Sequence, residues 1–194
     1  MAPEESTFRT YTSDQATTYS ASRTAYHPRL YSAILAHHTA TAGQLHTLLD
    51  LGCGPGNATR PLALHFENAV GVDASEGMIG AARAGGGKTG VETKVRWVVG
   101  RAEGCGEEIV GIGEDGEAEG KEEGERKVDL VTGGMAAHWF DLKEFWRNAA
   151  KMVRSGGTVA FWIVDHMYFR QSSHPFPYLP ALPLSTPWCE EARS

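Results

Sequence analysis

The segment Asp50-Leu51-Gly52-Cys53-Gly54-Pro55-Gly56 constrains the fold more than any other part of the chain. It follows a short apolar run, residues 45–51 (LHTLLDL), and precedes a helical pattern over residues 58–66. Glycines between a strand and a helix allow a tight turn and let a ligand lie against bare backbone. A second strand, residues 69–72, ends at Asp73, 21 residues after Gly52. A carboxylate there can accept hydrogen bonds from both hydroxyls of a ribose. The dinucleotide fingerprint needs a third glycine at position 57, which is Asn, so a nucleotide-binding oxidoreductase is disfavoured. The loop carries no Lys or Arg and no Gly-Lys-Ser/Thr ending, so it is not a P-loop. An acidic loop suits a cofactor with cationic groups better than a pyrophosphate.

The rest of the chain alternates in the same way. A helical pattern runs from Tyr19 to about Ala40, with Pro28 suited to a first turn. Pro61 must sit near the first turn of the 58–66 helix. Ser75 can cap a helix over 76–83, which Gly85-Gly86-Gly87 ends. Residues 91–99 and 128–132 read as the third and fourth strands. Asp141 and Glu144 form a capping box, and Phe140 can staple onto Phe145. Behind them Leu142, Phe145, Trp146, Ala149, Met152 and Val153 make one apolar face, and Gly156-Gly157 closes the helix. Residues 158–164 (TVAFWIV) are a fifth strand, apolar on both faces. Such strands alternating with amphipathic helices predict an α/β fold: a Rossmann-like, doubly wound, mostly parallel sheet covered on both sides.

Three segments stand apart. Residues 1–18 are polar and expected to be flexible. Residues 103–127 hold ten acids, three bases and seven glycines, too little apolar surface to offset ordering entropy, and read as a disordered acidic insert. Residues 171–194 form a proline-rich tail, with five of the nine prolines at 175–187. The domain is therefore expected over 19–170. The insert also explains the charge. The chain carries −6 from 24 acids and 18 bases; without the insert 14 acids face 15 bases. The folded part is near neutral and shows no basic stripe, so neither nucleic acid nor an anionic membrane is an expected partner. The three cysteines, Cys53, Cys105 and Cys189, are scattered and make neither a disulfide framework nor a metal site. No apolar h-region stands in the first thirty residues, and a cytoplasmic location is expected.

The ordered motifs resemble those of class I S-adenosylmethionine-dependent methyltransferases. DLGCGPG is similar to the first motif, Val70–Ser75 (VGVDAS) to the second, Gly100-Arg101-Ala102-Glu103 to the adenine-side motif, Val128–Asp141 to the fourth, and Val153–Trp162 to the turn into strand five. Tyr19, Ser22-Arg23 and Tyr26-His27-Pro28, with Ala137-His138-Trp139-Phe140-Asp141, resemble fungal proteins similar to trans-aconitate methyltransferase. The resemblance implies S-adenosyl-L-methionine as cofactor and a small-molecule acceptor, the carboxylate or hydroxyl of a metabolite or natural product.

The resemblance also implies roles. Gly52, Gly54 and Gly56 would give the methionine and ribose room, and Asp50 would orient the loop or the cofactor's ammonium. Asp73 would hold the ribose hydroxyls, with Ala74 and Met78 lining the adenine face. Ala102 and Glu103 would meet the adenine edge; Arg101 stands where the family commonly has Asp. Thr132 and Gly133 would lie beneath the methionine moiety. Tyr19 and Arg23 would form part of a lid, with Arg23 pairing the cofactor carboxylate. For a hydroxyl acceptor, His138 is the candidate base. No metal is implied.

Family members carry two further strands after the fifth, and none is recognisable in the residues that follow it here. Strand five would then be an apolar edge open to self-association or a partner. The alternative reading is a catalytically impaired or truncated methyltransferase-fold module that works through a protein partner at that edge.

Overall fold

In a computed structural model the described residues are 26–85, 95–104 and 128–163. Tyr19, Arg23, the acidic segment beyond Gly104 and the proline-rich tail lie outside them. Five strands form one sheet: β1 (Thr47–Leu51), β2 (Asn68–Asp73), β3 (Val95–Val99), β4 (Val128–Gly134) and β5 (Val153–Trp162). The order is β3-β2-β1-β4-β5, and every neighbouring pair is parallel.

The central strands are apolar on both faces because both faces are covered. Leu48, Leu49 and Leu51 of β1 are each fully buried, yet they point to opposite sides. Leu49 and Leu51 join Val70, Val72 and Val131 beneath helix α4 (Leu142–Met152), which contributes Phe145, Ala149 and Met152. Leu48, Ala69 and Leu130 pack on the other side under α1 (Pro28–Ala40) and α2 (Thr59–Ala63), through Tyr31, Leu62 and Ala63. Helix α3 (Glu76–Ala84) packs on β2 and β3. No helix among the described residues is long and apolar enough to cross a membrane.

The helix starts follow local chemistry. Pro28 opens α1 behind His27, whose Nδ1 accepts the Arg29 N–H. Ser75 caps α3 by accepting the Met78 N–H at 3.3 Å. Asp141 caps α4 by accepting the Lys143 and Glu144 N–H groups at 3.0 and 3.1 Å. Phe140 and Phe145 meet with ring centroids 6.1 Å apart, the expected staple.

Three sequence expectations are corrected. The capping box is not closed by Glu144: the Asp141 N–H is donated to Glu103 Oε1 at 2.7 Å, from a residue 38 positions away. Glu103 therefore belongs to the fold, not to the insert, and is only 7% exposed. Gly156-Gly157 does not close α4. The helix stops at Met152, β5 starts at Val153, and the register slips between Val128↔Val153 and Leu130↔Thr158. Gly156 takes φ +81° within this bulge, a conformation that glycine adopts without strain. Finally, the apolar face of α4 is wider than the sheet can cover: Phe145 is fully buried, whereas Leu142 and Trp146 are half-exposed.

The amino-terminal ends of the strands are tied by buried polar groups. His38 Nε2 donates to the Gln44 carbonyl at 2.7 Å, and Nδ1 meets Thr158 Oγ1 at 2.9 Å. Asp129 Oδ2 accepts the Thr47 N–H at 2.8 Å, and Oδ1 lies 3.0 Å from Arg154 Nε without hydrogen-bond alignment. These contacts rigidify the end of the sheet opposite to the glycine loop.

Candidate functional site

The glycine loop leaves the carboxyl end of β1, between β2 and β4. In open parallel sheets this is the position where connections diverge to opposite faces and a crevice opens. All three loop glycines take positive φ: +62° at Gly52, +54° at Gly54 and +88° at Gly56. Their surroundings differ. A Cβ on Gly52 would collide with the Ala136 side chain. One on Gly56 would lie 2.5 Å from Trp97 and 2.6 Å from Arg60 Nη1. One on Gly54 would meet nothing within 4 Å. Packing demands the outer two glycines; the middle one presents backbone to open space.

Asp73 stands at the end of β2 beside that opening. Its Oδ2 accepts the Gly54 N–H at 2.9 Å and its Oδ1 the Ser75 N–H at 2.8 Å. Each oxygen retains a further acceptor position. Burial raises the Asp73 carboxyl above its ordinary value, against the pull of those two N–H groups. Asp50 is more deeply placed. Its two oxygens accept the Thr59 and Thr132 hydroxyls at 2.5 and 2.7 Å, joining β1, α2 and β4. Burial raises its carboxyl too, opposed by both hydroxyls. At 1% exposure Asp50 is enclosed by these elements and orients the loop's flanks.

Ala74 is exposed, while Met78 is buried one turn into α3. Thr132 and Gly133 are buried in β4, and a Cβ on Gly133 would lie 2.9 Å from Phe161. Ala102 is buried after β3. The Glu103 carboxylate accepts the Asp141 N–H and pairs with Arg101 Nε, 3.2 Å away. Burial pushes the Glu103 carboxyl up. The Asp141 N–H, its own N–H and Arg101 together outweigh this and hold it below its ordinary value. His138 is exposed in the 3-10 turn Ala137–Trp139, its ring 4.6 Å from that of Trp139. Cys53 is buried, and burial pushes its thiol well up, so it stays protonated.

Three residues that shape the loop were not anticipated. Arg60, in α2, donates to the Pro55 and Ala82 carbonyls at 2.6 Å each and stacks 5.1 Å over Trp97. Trp97 itself lies against Gly56 and Gly71. Tyr31 Oη donates to the Asn57 carbonyl at 3.2 Å, and burial, with Tyr26 and Asp50 adding, pushes its phenol up to about 12. The available signal was Gly71, a glycine inside a strand, which marks close approach of a bulky neighbour.

A sheet of this order with a glycine loop and a carboxylate at adjacent strand ends defines an α/β domain built to hold a nucleoside-containing ligand. Residues 49–159 match the family described as "Methyltransferase domain". The chain belongs to this family, whose methyl donor is S-adenosylmethionine. It is 28% identical over 144 residues to the Saccharomyces cerevisiae protein named "Probable S-adenosylmethionine-dependent methyltransferase CRG1", covering 74% of this chain and 43% of that one. It is 30% identical over 163 residues to methyltransferase cfoB of Aspergillus candidus, covering 84% and 46%. A ubiquinone biosynthesis O-methyltransferase of Sinorhizobium fredii is 33% identical over 111 residues, covering 57% and 38%. The chain thus spans less than half the length of these curated relatives. In fold it resembles an S-adenosylmethionine-dependent methyltransferase of Clostridium acetobutylicum, with a TM-score of 0.52 at 21% identity over 68% of this chain and 48% of that one.

The residues present fit this cofactor. A Cβ on Gly54 would stand in open space, so the backbone there is open to a ligand, and the Asp73 carboxylate is held beside it at the adjoining strand end.

Proposed function

We propose that the protein transfers the methyl group of S-adenosylmethionine to a small-molecule acceptor, at a carboxylate or hydroxyl oxygen. The observation that carries this reading is the open space at Gly54 beside the Asp73 carboxylate. A ubiquinone biosynthesis O-methyltransferase among the relatives favours a small acceptor. A near-neutral folded part without a basic stripe disfavours a nucleic acid. A cytoplasmic location is part of the same reading.

When bound, the cofactor supplies a methyl group already activated on a sulfonium. The protein's tasks are then alignment and exclusion of water. Asp73 would accept the ribose hydroxyls, and Gly54 would let the sugar approach the backbone. Gly52 and Gly56 shape the turn around it. Met78, Ala74 and Ala102 would border the adenine, and Thr132 and Gly133 the methionine part. Tyr19 and Arg23 would close the site, with Arg23 pairing the methionine carboxylate. A carboxylate acceptor needs no base. For a hydroxyl acceptor, His138 on its exposed turn would take the proton.

Calorimetry with S-adenosylhomocysteine tests cofactor binding, with micromolar affinity expected. A panel of small carboxylates and phenols with radiolabelled cofactor tests transfer. Tight binding with no transfer to any of them would favour the alternative, a cofactor-binding module that acts through a partner.

A further inference from the structure

The loop after β3 and the start of α4 are joined by one side chain. Glu103 Oε1 accepts the Asp141 N–H at 2.7 Å, Oε2 pairs with Arg101, and the Glu103 carbonyl accepts the Asn148 side-chain amide. Asp141 lies three residues after His138. The intervening turn is closed by the Trp139 and Phe140 N–H groups donating to the Ala136 and Ala137 carbonyls. Phe140 is held by Phe145 and Phe161, with centroids 6.1 and 5.8 Å away. On the other side, Ala102 precedes Glu103 directly and packs in the same core as Phe145. In a self-closed capping box Glu144 would take the Asp141 N–H, and the helix start would be independent of the β3 loop. Here the donor is given to a residue of that loop, so a shift of either segment against the other breaks a part-buried, charge-assisted bond.

We infer that Glu103 is a positioning residue: it ties the loop after β3 to the turn that carries His138, so that a ligand seated against Ala102 orders the acceptor side of the site. This rests on the cofactor reading above. It gives Glu103 a role different from contact with the adenine edge.

Amide hydrogen exchange on the full chain, with and without S-adenosylhomocysteine, tests it. In the wild type the ligand should slow exchange about tenfold at residues 100–104 and at residues 137–141 together. Glu103→Ala should bind the ligand within about threefold of wild type. It should keep the slowing at 100–104 and lose it at 137–141. Glu103→Gln, whose amide oxygen can still accept the Asp141 N–H, should restore it. Should Glu103→Ala fail to fold, Asn148→Leu removes only the bond to the Glu103 carbonyl and should reduce the slowing at 137–141 in part. Equal slowing at 137–141 in wild type and Glu103→Ala, or no reduction in Asn148→Leu where that variant is used, overturns the inference. A wild type that shows no slowing anywhere and no heat of binding overturns the cofactor reading itself, and the coupling with it.

Discussion

The Gly54 N–H donates to Asp73 Oδ2 at 2.9 Å, across 19 residues of sequence. This bond fixes the middle of the glycine loop against the end of the neighbouring strand. It also keeps the carboxylate beside the loop glycine at which an added Cβ would meet open space.

Asp73→Ala removes both the ligand's acceptor and the loop's tether. Hydrogen bonds to a charged group are worth about 1.5–3 kcal/mol each. Affinity for S-adenosylhomocysteine should therefore fall about ten- to hundredfold or more, read by calorimetry. Unchanged affinity would mean that the ligand lies elsewhere.

Gly54→Ala separates binding from stability. At φ +54° a Cβ costs about 1–2 kcal/mol of strain, which lowers Tm by a few degrees. It touches no protein atom, yet it enters the proposed ligand space. The expected signature is a folded protein with little ligand affinity. Gly71→Ala is the contrasting case: its Cβ would lie 2.5 Å from the Trp97 ring, so thermal stability should drop through displaced packing.

Affinity should also depend on pH in a defined direction. The form of Asp73 that accepts hydroxyl donors is the carboxylate, and burial raises its pKa. Binding should be constant above that raised value and weaken as pH falls through it, with proton release on binding inside the window. In Asp73→Asn this step should vanish, whereas titration of Asp50 would leave it in place. A step that persists in Asp73→Asn assigns the titration to another group.

Glu103 should give stability a pH dependence of its own. Its native pKa is held below the ordinary 4.5. The stabilisation is then complete above the unfolded value and is lost as pH falls through the native one. The stability difference between wild type and Glu103→Gln, from urea melts, should grow as pH rises through this window and stay flat above it. A difference that does not vary with pH there would separate the carboxylate's charge from its structural role.

On α4, burial decides the cost. Phe145→Ala should cost about 3–5 kcal/mol, because the fully buried ring packs on Phe140 and Phe161. Trp146→Gln, on the same apparent stripe but half-exposed, should cost about 1 kcal/mol or less in the same urea melts. Comparable losses would show that the exposed part of the stripe is covered in solution.

Much of this was legible locally. Gly52, Gly54 and Gly56 between an apolar run and a helix announced the loop, since only glycine tolerates that backbone freely. Pro28, Ser75 and Asp141 marked helix starts through groups within three residues of each other. The five-strand parallel sheet followed from strands apolar on both faces. All of these are properties of short stretches of chain, where periodicity and backbone preference act without reference to distant residues.

Other features needed the tertiary structure. No pattern in the sequence indicates that Glu103 rather than Glu144 takes the Asp141 N–H, because both carboxylates satisfy the same donor and only packing brings the distant one nearer. Arg60 reaching the Pro55 and Ala82 carbonyls, and Trp97 filling the space left by Gly56 and Gly71, are likewise meetings between separate elements. The same holds for the bulge at Gly156, read locally as a helix stop, and for Leu142 and Trp146, read as part of one apolar face and left half-exposed. The sequence by itself determined which segments become strands, helices and the glycine turn. The tertiary structure decided which polar groups pair and which apolar groups are covered, because those choices turn on distances that exist only once the sheet has formed.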